Sequence, residues 1–131
     1  MDIEIVGNKK LMGEMEKRFG KVAMKKKSEH ALIAASDYLK SELAHEFESF
    51  KDTGASIDEI KSGDPEIVAG QHRVLIYWDG PKDRYKIIHL NEHGYERDGK
   101  KIIPKGFGVI AKTLNRSQRK YQSIITEELK K

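Results

Sequence analysis

Apolar side chains recur at steps of three and four from Leu32 through Ala35, Leu39, Leu43 and Phe47 to Phe50. That spacing draws one stripe down one face of a helix. No proline or glycine interrupts Lys21 to Lys51, so the pattern predicts a single helix over 21–51, ~45 Å long at 1.5 Å per residue. Lys51-Asp52-Thr53-Gly54 ends it, with Gly54 free to turn left-handed. A second helical stripe runs through Phe107, Ile110, Ala111, Leu114, Tyr121, Ile124, Ile125 and Leu129, with Lys130 and Lys131 at its negative dipole end.

Between the two stripes the period shortens. Ala55 to Ile60 and Glu66 to Ala69 read as short strands around the turn cluster Ser62-Gly63-Asp64-Pro65, and Gly70-Gln71 bends the second. Arg73 to Trp78 is rich in β-branched and aromatic residues and predicts a strand closed by Asp79-Gly80-Pro81. Short connections favour antiparallel pairing. Tyr85 to Leu90 fits one helical turn or a strand equally well. Tyr95 to Ile103 reads as a hairpin about Asp98-Gly99, a pair that favours a primed turn. Ahead of the first helix, Ile3, Ile5 and Val6 form a short strand or an arm. Asn8 caps a weak helical turn through Leu11, Met15 and Phe19.

The chain of 131 residues fits one domain, 1–131, with residues 1–20 as a possible flexible arm. Apolar residues make up 37% and charged residues 35%, which predicts a thin core or one completed by neighbours. The lack of cysteine excludes disulfides and thiolate metal sites. No leader-like apolar run opens the sequence, and no segment approaches the ~20 apolar residues of a membrane span.

Charge is uneven. Residues 1–27 are net +4, 28–70 net −7, 71–111 net +3 and 112–131 net +4. A bipolar chain of this kind suits head-to-tail self-association. Lys25-Lys26-Lys27 with the C-terminal basic residues also fits a small nucleic-acid-binding module.

The most chemical stretch is His89-Leu90-Asn91-Glu92-His93. It matches the H-x-x-E-H arrangement of inverted zinc peptidases, in which His89 and His93 would hold zinc and Glu92 would activate water. Gly94 follows at once and stops a helix where a ligand helix should continue. The only later carboxylates, Glu127 and Glu128, lie near the chain end. A zinc hydrolase is therefore the weaker reading, and no metal, cofactor or catalytic residue is assigned. Tyr77, Trp78, Tyr85 and Phe107 beside Arg73, Arg84 and Lys86 could stack bases, but a half-buried sheet uses the same residues.

Three motifs in order carry a resemblance. Asp52-Thr53-Gly54-Ala55-Ser56-Ile57 follows the long helix. Tyr85-Lys86-Ile87-Ile88-His89-Leu90-Asn91-Glu92-His93-Gly94 ends in Glu-x-Gly. Pro104-Lys105-Gly106-Phe107, with Ala111 one turn after Phe107, leads into the last helix. Over residues 21–131 the chain resembles the gene-product-ten-like family of minor tail components, tail-completion and head–tail joining proteins of long-tailed, lambda-like phages. Its departures are Lys105-Gly106, which splits the usual Pro-Phe pair, and His93 in place of an aromatic.

The resemblance implies an α+β fold: a long N-terminal helix, an antiparallel sheet of about three to five strands with a hairpin, and a C-terminal helix packed on the sheet. It also implies a structural protein of the virion rather than an enzyme. Such a protein forms a hexamer-like ring with other tail or neck proteins, with transient DNA contact in the lumen and no membrane. On that reading Glu92, Gly94, Pro104 and Phe107 form a structural joint. The hairpin residues Arg97, Asp98 and Lys100 and the helix residues Glu42 and Glu46 are the candidate assembly contacts.

Overall fold

The computed structural model describes residues 3–7, 9–48, 55–69, 71–82, 84–104 and 106–131. Expectations for Asn8, Phe50, Lys51 to Gly54, Gly70 and Lys105 fall outside these residues, as do the side chains of Arg84, Tyr85, Ile87 and His89. In chain order the elements are β1 (Ile3–Val6), α1 (Lys9–Phe19), α2 (Lys21–Phe47), α3 (Ala55–Asp58), β2 (Ile60–Ser62), β3 (Glu66–Val68), β4 (Gln71–Trp78), α4 (Arg84–His93), β5 (Tyr95–Arg97), β6 (Lys100–Ile102) and α5 (Val109–Lys130).

The fold is α+β. β4 is the centre of a four-stranded antiparallel sheet. β1 pairs along one edge of β4, Ile3 opposite Ile76 and Val6 opposite Arg73. β2 and β3 lie end to end along the other edge, Ser62 opposite Ile76 and Glu66 opposite Arg73. Between those pairs Gly63, Asp64 and Pro65 face only Val74 and Leu75. The expected turn cluster is therefore a bulge in one interrupted edge strand, where proline is tolerated.

Alternation along β4 sends Val74, Ile76 and Trp78 to one face, beside Ile3 and Ile5 of β1. α2 lies across that face with Leu32, Ala35, Leu39, Leu43 and Phe47 buried. The Phe47 ring stacks on Trp78, 5.8 Å between centroids. α5 runs along α2 and packs against it. Small side chains are buried on both helices: Ser28, Ala31 and Ser36 of α2, and Thr113 and Ser117 of α5, with Ser28 facing His72 of β4 at 2.8 Å. Ser28, Ser36 and Thr113 satisfy their hydroxyls on carbonyls of their own helices, at 3.0, 2.9 and 2.7 Å.

Three local expectations change. Residues 3–19 are not an arm: β1 and α1 join the core, burying Ile3, Ile5 and Met12, and the Gly7 N–H extends the pairing to the His72 carbonyl at 3.0 Å. Ala55–Asp58 is a short helix, and the strand begins only at Ile60. The undecided stretch from Tyr85 lies within α4, where Ile88 is buried. Among the described residues no helix is long and apolar enough to cross a membrane.

Candidate functional site

α4 ends at Gly94, whose φ of 75° is left-handed and whose N–H closes on the Leu90 carbonyl at 2.9 Å. Side-chain space is also closed there, since a Cβ on Gly94 would lie 2.9 Å from the Ile102 carbonyl oxygen and 3.5 Å from the Phe107 ring. Two requirements, one conformational and one steric, therefore select glycine at this position.

Glu92, one residue before the last of α4, ties α4 to α5. Its carboxylate is buried, and its Oε1 accepts the Ile110 N–H at 2.8 Å while its Oε2 accepts the Ala111 N–H at 3.0 Å. Its main-chain carbonyl accepts the Gly108 N–H at 3.0 Å. Gly108 sits at the N-cap of α5 with no side chain to offer. Glu92 thus supplies the cap from a distant element and places a negative charge at the positive end of the α5 dipole. At the end of its own helix the same charge is unfavourable, so the α5 contact fixes its orientation.

From this joint the β5–β6 hairpin projects, Tyr95 opposite Ile102 and Arg97 opposite Lys100. Asp98 (φ 52°) and Gly99 (φ 77°) are both left-handed, as a two-residue primed turn requires. Arg97, Asp98 and Lys100 are exposed at the tip. The segment returns through a turn in which the Phe107 N–H bonds the Pro104 carbonyl at 3.0 Å. Around the base, Leu90 (41% exposed), Ile103 (63%) and Phe107 (39%) show apolar surface to solvent. Phe107, first in the expected apolar stripe, is thus partly exposed while Ile110 is buried, and the Phe107 ring lies against Gly94.

Glu42 and Glu46, expected to meet a neighbour, are engaged within the chain. Arg116 of α5 reaches Glu42 at 3.0 Å and Glu46 at 2.9 Å, clamping α5 to the end of α2. The hydrogen bond that Arg116 donates to Glu46, with the charges of both carboxylates, raises the Arg116 pKa above its ordinary value. Arg73 is likewise held between Glu66 and Glu4, each at 2.8 Å, and Trp78 is core. Neither Arg73 nor Trp78 forms a base-stacking surface.

For the zinc reading, Glu92 is the decisive residue, because both of its oxygens face backbone N–H groups of α5 rather than an open cavity. Among the described residues no three metal-ligating side chains converge. Sequence reasoning missed a second carboxylate of the same kind, Glu59. It is buried after α3, and its Oε2 accepts the Lys82 N–H at 2.8 Å while its carbonyl accepts the Asp79 N–H at 3.0 Å. It pins the loop that leads from β4 to α4.

The described geometry is that of a structural joint: two helix ends locked through one carboxylate, with a hairpin held out from the lock. Comparison with protein-family models, curated proteins and solved structures finds no match to the chain.

Proposed function

We propose that this chain is a virion structural protein of the tail-completion or head–tail joining type, acting in a ring at the tail end or neck of a long-tailed phage. The observation that carries the reading is the Glu92-locked hairpin. Its tip is exposed, and its base leaves Leu90, Ile103 and Phe107 uncovered. Exposed apolar side chains grouped at the foot of a projecting element mark a protein–protein contact. The order of the three motifs supports the phage assignment, and the two-sided geometry of a ring needs one surface to reach out to a different one. The hairpin is the reaching surface, with Arg97, Asp98 and Lys100 at its tip. Glu42 and Glu46, taken by Arg116, act inside the subunit.

Deletion of the gene from the phage or prophage that carries it tests this reading. Electron microscopy of the lysate is expected to show heads and tails that are separate or incompletely finished, restored by supplying the chain in trans. Normal particles with full infectivity after deletion would overturn it.

A further inference from the structure

The corner between α1 and α2 carries six cations in eleven residues: Lys17 and Arg18 in the last turn of α1, then Lys21, Lys25, Lys26 and Lys27 on α2. No aspartate or glutamate interrupts this run. Among the described residues none of the six pairs with a carboxylate. Arg18 and Lys27 lie over the ring of Phe19 instead, 5.8 and 5.4 Å from its centre. That ring is 49% exposed and Val22 beside it 77%.

The arrangement works against α2 itself. Lysines crowd the positive end of its dipole, its first turn holds no acid, and its N-cap is Gly20, which has no side chain. Glu42 and Glu46 near its negative end are similarly misplaced, but Arg116 relieves them. At the lysine end none of the described residues plays that part. A local rule broken without internal compensation is the pattern expected of a functional surface.

Several carboxylates of the chain are already engaged within it. Glu42 and Glu46 are held by Arg116. Glu4 and Glu66 are held by Arg73, and Glu59 and Glu92 by backbone N–H groups. Folding thus engages part of the acidic side, while the six cations of this corner keep no carboxylate partner among the described residues. We infer that the α1–α2 corner binds the phosphodiester backbone of a nucleic acid through charge, without reading its sequence. An exposed aromatic among unpaired cations fits that partner. The inference rests on these charges and not on the assembly reading.

Fluorescence anisotropy of the full chain with a labelled 20-base-pair duplex tests it. Wild type is expected to bind at 50 mM salt and to lose at least ~100-fold in affinity by 200 mM, as release of counterions by four or more phosphate contacts requires. The Lys21→Gln/Lys25→Gln/Lys26→Gln variant is expected to bind more weakly and to flatten the logarithmic salt slope by about 3. Its thermal midpoint should equal or exceed that of wild type, because the clash with the helix dipole is relieved. Weaker binding joined to undiminished stability is a combination that a structural role would not produce. Lys112→Gln/Lys120→Gln on α5 is expected to bind as wild type. Absence of duplex binding at 50 mM salt would overturn the proposal. So would unchanged affinity and slope in the triple variant, or binding to anionic phospholipid vesicles without binding to the duplex.

Discussion

Glu92→Ala is expected to lower stability by about 2–4 kcal/mol, a large share of the 5–15 kcal/mol typical of a domain. The substitution strips both acceptors from the N-terminus of α5 and leaves the Ile110 and Ala111 N–H groups without their partner. Hydrogen bonds to a charged group contribute about 1.5–3 kcal/mol, and loss of a helix cap costs about 0.5–2 kcal/mol. These overlap, because one carboxylate makes both bonds and also meets the helix dipole. Urea denaturation is the measurement, and a lower midpoint at an unchanged slope is the expected form. Glu92→Gln keeps an acceptor oxygen but not the charge and should fall between the two. A chelator or added zinc should leave the midpoint of the wild type where it is. An alanine variant within about 0.5 kcal/mol of wild type would be surface behaviour, at odds with a buried cap.

Gly94→Ala is expected to cost about 2–4 kcal/mol through two separable effects. The left-handed backbone at φ 75° penalises any L side chain by about 1–2 kcal/mol. The remainder comes from the Ile102 carbonyl oxygen, 2.9 Å from the new Cβ, which must retreat and drag β6 with it. Gly99→Ala isolates the first effect, because Gly99 has a similar φ of 77° but open space around it. The difference between the two alanine variants is therefore the steric cost at the hairpin base. Equal destabilisation by both would mean that the hairpin is not seated against Gly94.

How far these features were legible depends on the distance between partners. The α2 stripe was readable because Leu32, Ala35, Leu39, Leu43 and Phe47 repeat along one helix and are buried together. The hairpin was readable because Asp98-Gly99 specifies its own turn. Glu92 and Gly94 stood out as neighbours of a glycine stop. What Glu92 does was not visible, since its partners Ile110 and Ala111 lie 18 and 19 residues on and are backbone groups that any residue carries.

The same blindness hid Glu59, whose partner Lys82 is 23 residues away, and the pairing of Arg116 with Glu42 and Glu46 across 74 and 70 residues. Buried Ser28 and Ser36 broke the apolar pattern of α2, and buried Thr113 and Ser117 that of α5. The N-terminal strand was open to reading as an arm because nothing in residues 3–6 announces β4, which pairs with it.

In the assembled particle the locked hairpin is expected to reach a neighbouring chain. Lysine-reactive cross-linking of purified particles, read by peptide mass spectrometry, tests it most directly, since Lys100 and Lys101 sit on β6 at the tip. The expected result is cross-links from these lysines to a residue of another protein chain, lost on Ile103→Asp at the hairpin base. Particles that lack the chain, or links from Lys100 and Lys101 only to lysines of their own subunit, would contradict the account.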